Sequence, residues 1–154
     1  MSLLTNLVSF WKLNGNSNDA QSSNNGSDTS ITYGASTGII NQGANSGGSP
    51  SIISIGNRAS LQITGSVSVS GWVKVTNFTG GFEFVNQQYT NSNSSPYQGY
   101  RLWNDGTTTT MLWDTNSGGS FARTTWTISA LSTATWYHFC VTSNSAGGAG
   151  QNMA

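Results

Sequence analysis

The sequence predicts an all-β fold in which antiparallel strands form a sandwich or a barrel. No window of about 11 residues keeps the apolar spacing of an amphipathic helix, because Gly, Ser, Thr and Asn interrupt each candidate. Short segments of alternating apolar and polar residues recur instead. Turn-forming pairs such as Asn14-Gly15 and Gly118-Gly119 separate them, which is typical of hairpin-connected strands.

The strongest alternation lies in residues 66–75. Valines at 67, 69, 73 and 75 share one face, opposite Ser68, Ser70 and Lys74, so one face of this strand is expected to be buried. Together with the turn signals between them, the same pattern predicts the following strands, in order along the chain: residues 7–13, 30–33, 37–43, 51–56, 66–75, 81–87, 98–104, 109–115, 121–128 and 135–143.

Length and charge limit the possible classes of protein. We expect one domain over residues 1–154, a length that suffices for one core. The formal net charge is zero, which argues against nucleic acid and anionic membrane surfaces as partners. One cysteine and one histidine exclude an internal disulfide and a closed zinc site. The 17 aromatic residues predict a folded chain, although Ser, Thr, Gly and Asn occupy 80 of the 154 positions.

The first residues carry neither the basic start nor the apolar core of an export signal. No apolar stretch approaches the roughly 20 residues that span a bilayer. We therefore predict no signal peptide and no membrane insertion. As the location we favour the extracellular surface or a virus particle, since a virus protein without an export signal is released by cell lysis.

Three segments together resemble the laminin-G-like, concanavalin A-like jelly-roll superfamily of lectins and glucanases. They are residues 7–19, with Phe10-Trp11-Lys12-Leu13 before an Asn-Gly turn and Asp19; residues 59–74, with Val69-Ser70-Gly71-Trp72-Val73-Lys74; and Trp136-Tyr137-His138-Phe139. The resemblance implies two packed antiparallel sheets. It also implies a further hairpin and strand after Trp136, so we expect a domain that lacks its last strands at the C-terminus. Unpaired edges would then favour strand borrowing or a homo-oligomer.

The sequence predicts a protein that is not an enzyme. Retaining glucanases of the resembled superfamily carry a Glu-x-Asp-x-Glu array, whereas Glu83 is the single Glu of this chain. A glycoside hydrolase is therefore only a remote alternative. We interpret His138 as a packed or surface histidine and Cys140 as a small buried side chain, rather than as a base and a nucleophile.

Calcium is a possible cofactor, because oxygen-rich loops bind it and the resembled superfamily often carries a site at one rim. The candidate ligands are Asn16, Asp19, Asn25 and Asp28. The alternative is that Asp19 anchors a turn by accepting hydrogen bonds from backbone N–H groups.

Strand alternation also predicts an exposed face that could bind a sugar. On one predicted strand, Arg101 and Trp103 point to the face opposite that of Tyr100 and Leu102. Because a charged side chain is expected to face solvent, we assign Arg101 and Trp103 to the outer face. The same alternation assigns Met111, Trp113 and Trp126 to the core. The outward residues of this and the following strands are Arg101, Trp103, Asp114, Phe121 and Arg123. An ordinary solvated face with weak ion pairs is the alternative.

These observations lead to two compatible functional hypotheses. The first is a non-catalytic, lectin-like carbohydrate-binding or adhesion module whose partner is a glycan or cell-surface polysaccharide. The second is a structural component of a virus particle, such as a phage tail or decoration protein, that uses the same jelly roll. Residues 88–97, rich in Asn and Ser, form either a recognition loop or a solvated one.

Overall fold

The computed structural model describes residues 5–63, 65–87, 98–117, 120–143 and 151–153. In these ranges the regular structure consists of antiparallel strands and two short 3-10 helices, which confirms the all-β prediction. The chain forms two compact units, Met1–Leu61 and Gln62–Ala154. No helix in the part of the chain that the structure describes has the length and apolarity needed to cross a membrane. The predicted loop at 88–97 lies outside the described residues.

The first unit contains two separate strand pairs. Strand β1 pairs with β4 and β2 with β3, all antiparallel. The strands are β1 (Ser27–Thr29), β2 (Ile31–Gly34), β3 (Gly43–Ser46) and β4 (Ile52–Ser54), and the 3-10 helices are Ala35–Thr37 and Ala59–Leu61.

Two predicted strands of this unit are wrong. Residues 7–13 contribute only an isolated bridge between Trp11 and Asp19, because Leu13 has a φ of 55° and turns the chain out of an extended course. In place of the strand predicted over 37–43, residues 38–42 form a tight loop between the 3-10 helix and β3. A Cβ at Gly38 would lie 2.4 Å from the carbonyl carbon of Gln42, so the backbone doubles back where only glycine fits.

The second unit contains two larger antiparallel sheets. In the three-stranded sheet, β10 lies between β11 and β5; the four-stranded sheet is a meander in the order β6-β7-β8-β9. The strands are β5 (Val67–Lys74), β6 (Phe82–Asn86), β7 (Gln98–Asn104), β8 (Thr110–Ser117), β9 (Ser120–Thr127), β10 (Trp136–Ser143) and β11 (Gln151–Met153).

Both sheets of the second unit contribute to one core. Its buried members are Val67, Tyr100, Leu102, Met111, Trp113 and Val141, with Trp126 and Phe139 among the partly buried side chains packed against them. The rings of Tyr100 and Trp113 stack with centroids 5.7 Å apart. The inward positions predicted for β7, β8 and β9 are thus confirmed, and the opposite parity of these strands forms an outer face.

Candidate functional site

The register of the four-stranded sheet brings most of the predicted sugar-binding residues together. Arg101, Asp114 and Arg123 are direct cross-strand partners on β7, β8 and β9. Trp103 lies two residues beyond Arg101 on β7, so all four side chains share the outer face. We call these four residues the Asp114 cluster. The side chain of Phe121, the fifth predicted residue, lies outside the described residues, although its backbone belongs to β9.

The centre of the cluster is the carboxylate of Asp114, which is fully buried. It accepts five hydrogen bonds from three side chains: from Arg101 Nε (3.1 Å) and Nη2 (2.6 Å), Arg123 Nε (2.7 Å) and Nη2 (3.1 Å), and Trp103 Nε1 (2.9 Å). The hydrogen bonds with Asp114 raise the pKa of Arg123, against the opposing effect of burial. Asp114 thus has the predicted orientation but is covered by its neighbours, so it is not an exposed ligand contact.

Both guanidinium groups also lie against the indole of Trp103. The Cζ atoms of Arg101 and Arg123 are 4.5 Å and 5.1 Å from its ring centroid, within the range of cation–π attraction. Trp103 is therefore held by two cations and by its own hydrogen bond to Asp114. The orientation of the ring is therefore fixed within the cluster.

Glu83 extends the cluster towards β6, a contact that the sequence did not predict. Its Oε1 forms a salt bridge of 3.1 Å with Arg101 Nη1, and its Oε2 accepts a hydrogen bond of 3.0 Å from Asn86 Nδ2. The register of β6 against β7 shifts between Glu83 and Val85, as a β-bulge does. Alternation alone could not predict the position of the Glu83 side chain. However, two apolar residues follow each other in Phe82-Glu83-Phe84-Val85, and this break in the period of two is a sequence signal of a bulge.

An open pocket of about 250 Å³ borders this end of the cluster. Trp103, Arg101 and Glu83 form one side of it, and the turns that precede β6 and follow β7 form the rest. Its lining residues are Gly80, Gly81, Phe82, Glu83, Arg101, Trp103, Asn104 and Asp105. The pocket therefore combines an indole, a guanidinium, two carboxylates and backbone groups in one concave surface.

Buried hydrogen bonds fix the turn that forms the far side of the pocket. Asn104 is fully buried, and its Nδ2 donates to the carbonyl oxygens of Thr107 and Thr110, each at 2.7 Å. Its Oδ1 accepts from the Gly106 N–H at 2.8 Å. Gly81, which also lines the pocket, has a φ of 71°, and a Cβ there would lie 2.7 Å from the Asn104 carbonyl oxygen, so the close approach of the two turns requires glycine.

The four candidate calcium ligands of the first unit all accept hydrogen bonds from within this unit. The Asp19 carboxylate already accepts hydrogen bonds from the N–H groups of Phe10 (2.9 Å), Gln21 (2.9 Å) and Asn24 (3.3 Å) and from the Ser22 hydroxyl (2.6 Å). These donors direct hydrogens at the oxygens that a cation would need. Burial alone would raise the pKa of Asp19, but the bonds from Phe10, Ser22 and Gln21 outweigh it and hold that pKa well below its ordinary value.

The side chains of the other three candidates also accept hydrogen bonds from residues of the first unit. Asn25 Oδ1 accepts from the Asp19 N–H, and Asn16 Oδ1 from the Asn18 N–H, each at 2.9 Å. Asp28 Oδ2 accepts from the Tyr33 hydroxyl at 2.8 Å. Within the described ranges, no three His, Cys, Asp or Glu side chains lie close enough together to hold a metal ion. The structure therefore shows Asp19 as the anchor of a turn, the alternative that the sequence offered.

His138 and Cys140 lie on the outer parity of β10, in the other sheet of the second unit. His138 is exposed and packs edge-on against Trp72 on β5, with ring centroids 5.1 Å apart. Cys140 is a free, partly buried cysteine. His138 is thus a surface histidine, one of the two positions expected for it, whereas Cys140 is less buried than the sequence predicted.

Comparison of the chain with models of protein families, with curated proteins and with solved structures finds no match in any of the three. The resemblance to the laminin-G-like jelly roll therefore stays a prediction.

Proposed function

We propose that this protein is a non-catalytic, lectin-like carbohydrate-binding module with a jelly-roll fold, and that its ligand binds in the pocket beside Trp103. The observation that carries the proposal is the composition of that pocket. Protein sites for sugars combine an aromatic surface for the apolar side of the ring with polar groups that bond the hydroxyls. Trp103, Arg101, Glu83 and Asp105 supply this combination in one open concavity.

The size and charge of the pocket favour a short, uncharged or amine-bearing sugar segment. Its volume of about 250 Å³ lies below the roughly 300–1,000 Å³ of pockets that enclose drug-sized ligands. Glu83 and Asp105 contribute two carboxylates against the single guanidinium of Arg101, which also bonds Asp114. An acidic sugar would meet net negative charge there, whereas hydroxyl and amino groups would find acceptors.

The hydrogen-bond network supports binding because it fixes the pocket wall in advance. Arg101 and Trp103 are held by Asp114 and by each other, so little side-chain freedom is lost when a ligand binds. A site whose groups are supported in this way can recognise a ligand through few contacts.

The same network argues against hydrolysis. A retaining glycosidase needs two carboxyl groups about 5 Å apart that can reach one bond, with one of them free to attack. Asp114 is fully buried and accepts five hydrogen bonds. Glu83 is held by Arg101 and Asn86. These carboxylates position the wall of the pocket, which supports a binding role.

A glycan array of neutral and amine-bearing oligosaccharides tests the proposal, with the wild type run beside Glu83→Gln and Trp103→Phe. We expect at least one sugar class to bind. Glu83→Gln should bind it about tenfold more weakly, since one charged contact is worth about 1.4 kcal/mol. Trp103→Phe should also bind it more weakly, because the smaller ring covers less of the sugar and loses the hydrogen bond to Asp114. Ile40→Ala, which truncates an exposed apolar side chain of the first unit, is the matched control and should bind as the wild type does. No binding by the wild type, or equal binding by all four proteins, would refute the proposal.

A structural role in a virus particle is the second proposal, and the composition favours it. A zero formal charge with 80 Ser, Thr, Gly and Asn residues gives a surface suited to dense packing with little charge repulsion. Display in many copies would also convert weak single-site binding into strong attachment. Neighbouring genes for capsid, portal or tail proteins would support this role, and a neighbouring polysaccharide-utilisation locus would contradict it.

A further inference from the structure

The outer face of the three-stranded sheet carries a second cluster of aromatic and basic residues. Trp72 on β5 is 51% exposed, although it is a large apolar side chain, and its cross-strand partner on β10 is His138. Their rings meet edge to face at 5.1 Å and 61°. Among the described residues of the second unit, no other large hydrophobic side chain is as exposed.

The next pair along the same two strands repeats this combination. Lys74 is the cross-strand partner of Trp136, and the Lys74 Nζ atom lies over the Trp136 ring at 5.2 Å from its centroid. Two successive outward positions on each strand thus present two indoles, one ammonium group and one imidazole. We call these residues the basic aromatic strip: Trp72, Lys74, Trp136 and His138. Hydroxyl side chains continue the face beyond it, since Ser68 pairs with Thr142.

Charge is distributed unequally between the two sheets of this unit. Strands β5, β10 and β11 contain no Asp or Glu. The three acidic residues of the unit, Glu83, Asp105 and Asp114, lie in the four-stranded sheet or its turn. In the part of the chain that the structure describes, all salt bridges involve Arg101 or Arg123, so Lys74 is balanced by an aromatic ring and by no carboxylate.

We propose that the basic aromatic strip is a second binding site and that its ligand is a polyuronate, a polysaccharide whose sugar rings carry carboxylates. The exposed indole of Trp72 offers a surface to the apolar side of a sugar ring. The Lys74 ammonium group complements a carboxylate on a face whose strands carry no acidic side chain, and the His138 imidazole can donate a hydrogen bond to it. An open sheet face, unlike the pocket beside Trp103, suits an extended chain of sugars.

This inference does not depend on the pocket, because the two surfaces belong to different sheets and select ligands of different charge. The pocket is lined by two acidic residues and one arginine, whereas the strip has one ammonium group and no carboxylate. Each proposed site is therefore tested with its own ligand and its own variants, and a negative result at one site does not refute the other.

Affinity electrophoresis in gels that contain polygalacturonate tests the strip, with a dextran gel as the neutral arm. The wild type should be retarded by polygalacturonate, and retardation should weaken as salt rises, because the ion pairs with Lys74 are screened. Trp72→Ala should raise the dissociation constant about tenfold, and Lys74→Gln several-fold. Lys12→Gln removes the same charge from an exposed lysine of the first unit, so it is the matched control and should bind polygalacturonate as the wild type does. Thermal melting of each variant establishes that it is folded.

Other occupants of the strip give distinct results. Equal retardation of the wild type and Trp72→Ala, or no retardation of the wild type, would overturn the proposal. Tighter binding of an oligothymidylate than of polygalacturonate would assign the strip to single-stranded nucleic acid instead. A concentration-dependent dimer in sedimentation that Trp72→Ala abolishes would assign it to a second copy of the chain.

Discussion

Arg101 and Asp114 are cross-strand partners on β7 and β8, and the Arg101 Nη2 atom lies 2.6 Å from Oδ2 of a carboxylate that is fully buried. The exposed fraction of the Arg101 side chain is 23%, and that of Arg123, the second cation on the same carboxylate, is 38%. Asp114 thus holds two like charges together beside one indole. The stability of the four-stranded sheet and the shape of the pocket both depend on this arrangement.

Asp114→Asn should lower the free energy of unfolding by about 3 kcal/mol, because it removes the anion between two partly buried guanidinium groups. Urea unfolding followed by circular dichroism measures the change. Asp105→Asn is the matched control, since Asp105 is exposed and its Oδ1, which an Asn retains, accepts from Thr107. Equal losses in the two variants would show that Asp114 does not organise the cluster.

Leu102→Ala should cost about 2–5 kcal/mol, since Leu102 is fully buried in the core that both sheets of the second unit share. Ile40 is 74% exposed in the first unit, so Ile40→Ala should change the stability by less than about 0.5 kcal/mol. Chemical denaturation of both variants gives the comparison. A loss below about 1 kcal/mol for Leu102→Ala would contradict the packing of these sheets.

Asp19 should make stability depend on acid pH. Its pKa in the folded protein is depressed below the ordinary value of 3.8, so the stabilisation is present above about pH 4 and is lost as the pH falls through the folded pKa. The melting temperature of the wild type should therefore fall below about pH 4. In Asp19→Asn it should start lower at pH 7 and fall less steeply. Parallel melting curves for the two proteins would show that Asp19 is not the responsible group.

Calcium should not stabilise the protein. The oxygens of Asp19, the central candidate ligand, already accept four hydrogen bonds, so a cation would have to displace them. Thermal melting with millimolar calcium and then with excess chelator measures this directly, because a ligand bound only by the native state raises the melting temperature. A rise with calcium that the chelator reverses would restore the calcium site.

Local alternation was sufficient to predict the two faces of the four-stranded sheet. Tyr100 and Leu102 are buried and Arg101 lies on the outer face, as a period of two requires. The same reasoning explains why Asp114 and Arg123 meet, since neighbouring strands align residues of equal orientation. Alternation could not show that Asp114 is covered. Its burial depends on the long side chains of two neighbouring strands, which fold over the carboxylate.

The first unit was harder to predict because contacts between distant residues determine its backbone. The Phe10 N–H donates to Asp19, and Trp11 Nε1 donates to the Asn24 carbonyl oxygen at 2.7 Å. These bonds turn residues 7–13 into an anchored loop, although their composition is that of a strand. Glu83 was missed for a similar reason, because a bulge shifts the register beside it.

The most direct test of carbohydrate binding beside Trp103 is a titration of ¹⁵N-labelled protein with the neutral oligosaccharide that scores highest on the array. The backbone N–H signals of Gly80, Gly81 and Glu83 and the indole N–H signal of Trp103 should shift together and saturate with one dissociation constant. The indole signal of Trp72, on the other sheet, should stay in place. Shifts that leave the pocket signals unchanged would contradict the proposed site.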